Sequence, residues 1–330
     1  MAEEMGVPWL PFWTAGSCSL SAHFYTDLLR NTINGAKGGG NNEGLSFIPG
    51  MSKVVVQDLP EGVVAGNLES VFSLMLHQMG LSLRRASGVL INSFEELDPI
   101  ITNDLKSKFK NYLNVGPFDL ASPSETTSDE SGCLEWLDKQ KAGSVVYISF
   151  GSVMVPPLEE LLAIGEALEE SGVPFIWSLK DNVKGKLGNG FLERTKGNGI
   201  IVPWAPQKEI LSHSGVGVFV THCGWNSLLE SVVGGVPMIC RPFFGDQRLN
   251  GRMVQDVWEI GVKVESGVFN KEEMVRCTDV VFSREKGVRM RENIKTLQEL
   301  AKQAVGPEGS STNNFETLLH VISTPKRSRQ

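Results

Sequence analysis

The sequence predicts an α/β protein whose strands form parallel sheets of the doubly wound kind. Runs such as "SVVYISF" (144–150) and "GVGVFVTH" (215–222) are apolar throughout, as strands buried on both faces are. Amphipathic segments stand between them: "PPLEELLAIGEALEESG" (156–172) sets Leu158, Leu161, Leu162 and Leu168 on one face and glutamates on the other. The length of 330 residues and a hydrophobic content of 41% suit about two domains.

In the second part of the chain the predicted elements alternate regularly. After the strand and helix just quoted come strands "VPFIWSL" (173–179) and "GIIVPW" (199–204), helix "PQKEILSH" (206–213) and strand "GVGVFVTH". Helix "NSLLESVV" (226–233), strand "VPMIC" (236–240) and helix "QRLNGRMVQDVWEIG" (247–261) complete the series. The first part is less regular. It predicts a strand at Val7–Phe12, a helix near Ser19–Asn31, a Gly/Asn-rich loop at 34–44, a helix over Leu68–Leu83, strand "GVLINSF" (88–94) and a helix near Pro99–Phe109. Between the parts, "DLASPSETTSDESG" (119–132) is polar and has no apolar period, as a linker would. The opening "MAEEMGVPWLPFW" reads as the last turn of a helix followed by a strand, which suggests a start partway through a domain.

Lys and Arg number 31 against 38 Asp and Glu, a net charge of -7, so no global basic field exists to hold nucleic acid or an anionic membrane. No apolar run approaches the roughly 20 residues of a membrane span. The five cysteines, Cys18, Cys133, Cys223, Cys240 and Cys277, are scattered and lack CxxC spacing. That argues against a disulfide framework or structural zinc and for a reducing, cytoplasmic location.

In open parallel sheets ligands bind beyond the carboxyl ends of the strands. Four such loops carry polar or aromatic groups: 150–152 ("FGS"), 177–180 ("WSLK"), 203–207 ("PWAPQ") and 221–227 ("THCGWNS"). His222, Cys223 and Ser227 in the last raise three chemistries: a metal site, a Cys/His nucleophile, or a binding turn. Gly224 permits a tight turn, and Asn226-Ser227 open a helix whose N–H groups and dipole suit an anion. Ser227-x-x-Glu230 also fits a capping box, and Cys223 fits a small buried hydrophobe. Trp204 is either core or a face for a planar base. Asp246-Gln247 would either bracket sugar hydroxyls or cap a helix.

Residues 204–247, beginning "WAPQ", holding "HCGWNS" and a glutamate three positions after that serine, and closing on "DQ", resemble the donor box of plant secondary-product UDP-glycosyltransferases. "LPFWTAG", "FIPGMSKV", "INSFEELD", "VVYISFGS", "RPFFGDQRLNGRMV" and "AVGPEGSS" resemble the flavonoid and anthocyanidin 3-O-glucosyltransferase branch. The resemblance implies a GT-B fold: two facing Rossmann-like domains with parallel sheets, here with the N-terminal domain incomplete. It implies a partial acceptor-binding domain at 1–122, a linker at 123–132, a UDP-sugar-binding domain at 133–310 and a C-terminal helix and tail at 311–330.

By the same resemblance Trp204 stacks on uracil, Ala205 and Gln207 contact uridine, and Glu230 takes the ribose hydroxyls. Ser152, His222, Asn226 and Ser227 hold the diphosphate, and Ser178 lies near the nucleoside. Trp225, Asp246 and Gln247 meet the transferred sugar, with the closing glutamine pointing to glucose. Thr14, His23, Phe72 and Phe244 belong to the acceptor side. The implied reaction is the inverting, metal-independent transfer of glucose from UDP-glucose, a co-substrate rather than a cofactor, to the 3-hydroxyl of an anthocyanidin or flavonol. The family's general base, a histidine, and its aspartate partner have no matching positions here, so no catalytic residue is assigned. A non-catalytic UDP-sugar-binding form and a different donor or acceptor are the alternatives. A monomer with small-molecule partners is expected.

Overall fold

A computed structural model describes residues 2, 4–35, 44–121, 129–188 and 190–323. Parts of the Gly/Asn-rich loop, of the linker and of the C-terminal tail lie outside the described residues. Chain contacts divide the protein into two compact units, one drawn from 1–123, 244–250 and 299–330, the other from 124–243 and 251–298. Residues 244–250 and 299–310 thus group with the first unit, where the sequence reading has the second domain running unbroken from 133 to 310.

The first unit carries β1 (Phe12–Trp13), α1 (Ser17–Phe24), α2 (Thr26–Gly35), α3 (Val71–Leu83), β2 (Val89–Ile91), α4 (Pro99–Lys108), β3 (Tyr112–Asn114) and α5 (Phe118–Ala121). Its sheet has the order β1-β2-β3 and is parallel, with Phe12 opposite Leu90 and Leu90 opposite Leu113. The strand expected at Val7–Phe12 is reduced to two residues. Its carbonyls do accept from the neighbouring strand, Ser87 N–H to Trp9 O at 2.8 Å and Leu90 N–H to Pro11 O at 3.0 Å. Pro8 and Pro11 have no N–H to return, so a ladder cannot form there. The helix expected over Ser19–Asn31 is two helices, broken at Tyr25, whose phenol donates to Asp104 at 2.9 Å. Strand β3 was not foreseen.

The second unit carries α6 (Cys133–Leu137), β4 (Val145–Ser149), α7 (Leu158–Ser171), β5 (Phe175–Ser178), α8 (Asp181–Lys184), α9 (Phe191–Thr195), β6 (Gly199–Val202) and α10 (Gln207–Ser212). It continues through β7 (Val216–Thr221), α11 (Trp225–Gly234), β8 (Met238–Cys240), α12 (Gln247–Arg252, extended by a π-helical turn at Met253–Val257), β9 (Gly261–Lys263), α13 (Lys271–Phe282) and α14 (Lys286–Ala304). Helices α12 and α14 straddle the division between the units. The last helix, α15 (Ser310–Ser323), belongs to the first unit. There Asn314 Nδ2 donates to the Asn114 carbonyl at 3.0 Å and Ser311 Oγ to the Gly116 carbonyl at 2.5 Å, which lays α15 along the end of β3.

The six strands of the second unit are all parallel and run β6-β5-β4-β7-β8-β9. Val146, Ile148, Phe175, Trp177, Val218, Val220 and Ile239 are fully buried in its core. On α7 the structure corrects the sequence reading twice. Leu158, the first helical residue, is exposed, while Leu161, Ile164 and Leu168 face the sheet. Glu160, assigned to the solvent face, is buried and bound by Arg241, which follows β8. The guanidinium forks onto both carboxylate oxygens, and the Phe269 N–H donates to one of them at 2.9 Å. Arg241 also covers the Phe243 ring at 3.9 Å.

A buried pair of this kind is costly to break from one side, because the remaining charge has no water to return to. Arg241→Met is expected to lower unfolding free energy by about 3–5 kcal/mol, and joint replacement of Arg241 and Glu160 by apolar residues by clearly less. Urea unfolding midpoints of the two variants check this.

Candidate functional site

In the second sheet β4 pairs with β5 on one side and β7 on the other, so the strand order reverses at β4. That reversal opens a crevice at the carboxyl ends of β4 and β7. The loops after these strands are in contact: a Cβ added at Gly151, whose φ is +76°, would stand 2.9 Å from His222 Cε1. One at Gly224 would overlap His222 Nε2. Both glycines make room for the imidazole. From the β5 loop, Lys180 Nζ donates to the Ser152 carbonyl at 3.2 Å.

Between His222 and Gly224 the chain turns through Cys223, whose φ of 65° is left-handed and rare for a residue with a side chain. Its thiol is fully buried, with Sγ 3.9 Å from the Thr221 carbonyl, so a small hydrophobe fills the turn and no exposed nucleophile exists there. All five cysteines are buried and none forms a disulfide. Among the described residues no group of three or more His, Cys, Asp or Glu could hold a metal ion.

Helix α11 starts at Trp225 with Gly224 as its N-cap, no side chain caps it, and no acid stands in its first turn. The capping-box alternative therefore falls: Ser227 lies inside the helix, one turn past the position where it would cap. Ser227 and Glu230 are instead held from the β6 loop. Gln207 Nε2 donates to Ser227 Oγ at 3.1 Å and to Glu230 Oε2 at 2.5 Å, and Gln207 Oε1 accepts from the Tyr147 phenol at 3.1 Å. Trp204 is 74% exposed between Pro203 and the buried Ala205, so it is not core. Trp225 is buried and Asn226 exposed at the helix start, and Ser178 is half-buried at the end of β5.

Asp246 and Gln247 stand at the start of α12. Gln247 Oε1 accepts from the Phe244 N–H at 3.2 Å, and Asn250 Nδ2 donates to Asp246 Oδ2 at 2.9 Å, so both side chains take part in the local turn. Burial pushes the Asp246 carboxyl above its ordinary value. On the acceptor side, Phe72 on α3 is 57% exposed and Phe244 50%, and Thr14 is exposed after β1. His23 differs: it is 6% exposed on α1, edge-on to Trp13 at 5.2 Å, a packed helix histidine. Sequence reasoning overlooked Tyr147, because "VVYIS" reads as plain core. The signal available was that a buried phenol needs a partner for its hydroxyl.

The ends of β4 to β7 thus bring together a helix N-terminus, an imidazole, a carboxylate–amide pair and an exposed indole. Parallel sheets with alternating helices make this a GT-B α/β fold. A profile described as "UDP-glucoronosyl and UDP-glucosyl transferase" matches residues 2–307, and the chain belongs to that family. It is 61% identical over 335 residues to anthocyanidin 3-O-glucosyltransferase 2 of Fragaria ananassa, covering 98% of this chain and 72% of the relative. It is also 61% identical to anthocyanidin 3-O-glucosyltransferase UFGT of Vitis vinifera, covering 99% of this chain and 72% of the relative. The crystal structure of a UDP-glucose: anthocyanidin 3-O-glucosyltransferase in complex with UDP superposes with a TM-score of 0.90 at 44% identity, over 98% of this chain and 72% of that one. No described helix is long and apolar enough to cross a membrane.

Burial lowers the His222 and His23 imidazoles from 6.5 to about 4. Between those values the unfolded chain binds more protons than the folded one, so stability rises with pH there. The stability due to neutral burial is complete above about pH 6.5 and is lost as pH falls through about 4. Urea midpoints between pH 7 and 4 should fall accordingly, and less steeply in His23→Phe. An unchanged slope in that variant would show that His23 is not buried neutral.

Proposed function

We propose that the protein binds UDP-glucose at the strand-end crevice of the second unit and serves the transfer of glucose to the 3-hydroxyl of an anthocyanidin or flavonol, with inversion. The observation that carries this reading is the joining of the two halves of the crevice by Gln207, which bonds Glu230 and Ser227 beside an exposed Trp204. The relatives' names supply the acceptor class and the 3-position. Trp204 offers its face to uracil, the Ala205 backbone and Gln207 meet the uridine, Ser178 lies toward the nucleoside, and Glu230 accepts from the ribose hydroxyls. Ser152, Asn226, Ser227 and the N-terminus of α11 take the diphosphate.

At neutral pH His222 is an uncharged donor, so charge on the departing UDP is met by fixed N–H groups. Loss of one such donor raises a barrier by about 3 kcal/mol. By resemblance to the family, Trp225, Asp246 and Gln247 are proposed to meet the glucose, and Thr14, Phe72 and Phe244 the acceptor. The transfer is proposed as metal-independent.

The attacking hydroxyl needs a general base, worth roughly 10²–10⁴-fold. None of the chain's histidines is assigned to it. His213 is held by Asp138 at 3.1 Å and accepts from the Gly215 N–H, His77 is paired with Asp27 at 2.6 Å, and His23 is buried. The alternative of a non-catalytic UDP-sugar-binding form follows from the same point.

Calorimetry with UDP is expected to give one site, weakened about 5–100-fold by Trp204→Ala, the range for one lost base stack. Gly224→Ala should weaken it too, since the added methyl displaces His222. Any product formed from UDP-glucose and a flavonol or anthocyanidin should be, by chromatography and NMR, the β-linked 3-O-glucoside. No UDP binding would sink the donor site; an α-linked product or one substituted at another hydroxyl would sink the inverting 3-O-transfer.

A further inference from the structure

Tyr147 occupies the middle of β4, 1% exposed, with its ring stacked on Phe219 of β7 at 5.1 Å and 16°. Phenylalanine would fill that space equally well, so packing does not account for the hydroxyl. The hydroxyl donates to Gln207 Oε1. Glu230 is a carboxylate and only accepts, so the amide NH₂ of Gln207 must face it. The other end of the amide, Oε1, then needs a donor, and in the closely packed strand that donor is Tyr147. The flipped amide would set two acceptors against each other at Glu230 and would turn the Tyr147 hydroxyl from donor to acceptor, so the observed orientation is the one that satisfies both ends. Burial raises the phenol far above its ordinary value, so it stays protonated, a donor, at any working pH.

We propose that Tyr147 is a positioning residue of the donor site: through Gln207 it holds the Glu230 carboxylate in the orientation that reads the ribose hydroxyls. The inference rests on the reading of Glu230 as the ribose acceptor. Without the hydroxyl, Gln207 Oε1 has no donor, the amide is released, and discrimination at the sugar is lost while the fold and the base-stacking face remain.

The test is calorimetry of UDP and 2′,3′-dideoxy-UDP against wild type, Tyr147→Phe, Gln207→Leu and the double variant, each with a urea unfolding midpoint. Wild type should prefer UDP by about 10-fold or more, since buried polar groups left unpaired reject the analogue. Tyr147→Phe should cut the preference to about 2-fold while binding the dideoxy compound as wild type does. In the Gln207→Leu background it should add nothing. Equal weakening of both ligands, retained discrimination, or an effect that persists without Gln207 would overturn the inference alone. A Tyr147→Phe chain that no longer folds would do the same, since the hydroxyl would then be holding the sheet. Wild type with no preference for the ribose hydroxyls would overturn the reading of Glu230, and this inference with it.

Discussion

Everything at the site depends on one constraint: all six strands of the second sheet run the same way. Parallel pairing puts every strand's carboxyl end on one edge and forces each return through a helix. The loops there are therefore the only places where polar groups from successive strands can meet without breaking the core. The reversal of order at β4 then decides which loops are neighbours. Gly151 meets His222 because β4 and β7 are adjacent. Gln207 is carried to the start of α10, where its amide reaches the α11 side chains. The Glu160–Arg241 pair joins the first turn of α7 to the segment after β8, and so ties the chain leaving one loop to the chain leaving another.

The parts of this arrangement legible in the sequence are those that a one-dimensional pattern can carry. Apolar runs buried on both faces announced β4 through β8, and the motif from Trp204 to Gln247 announced the donor loops. What stayed hidden depends on partners distant in sequence. Glu160 looked like one of several surface glutamates, because nothing local marks it for Arg241, 81 positions on. Tyr147 looked like core because its partner lies 60 positions away. Strand β3 is only three residues long, and it is defined by pairing with β2 and by the cover of α15 from the far end of the chain. The prolines near β1 were visible, but their effect was not, since a one-sided ladder shows only when the neighbouring strand is in place.

The electrostatics follow from the same packing. An anion site could be built from lysines and arginines, but a flexible cation must give up rotamer freedom and water to serve it. At the proposed diphosphate site the donors would be a helix N-terminus and an imidazole confined by two glycines, already oriented and already partly dehydrated. Burial that holds His222 neutral is the same burial that fixes its position. Donors oriented in advance need no reorganisation when negative charge develops, which is the property the proposed site would use as the diphosphate leaves.

The turn that begins this site carries its own strain. Cys223 holds a left-handed φ that an L-residue adopts at a cost, and glycine would hold it more easily. Glycine, however, would leave a void beneath the turn, where the thiol is fully buried, and would free the backbone that aims His222 at the crevice. A small, apolar, unbranched side chain resolves the conflict, because it fills the void and adds no branch at Cβ to worsen the left-handed conformation. The cysteine is there for its volume, and the sulfur chemistry that its histidine and serine neighbours evoke in the sequence has no exposed atom through which to act.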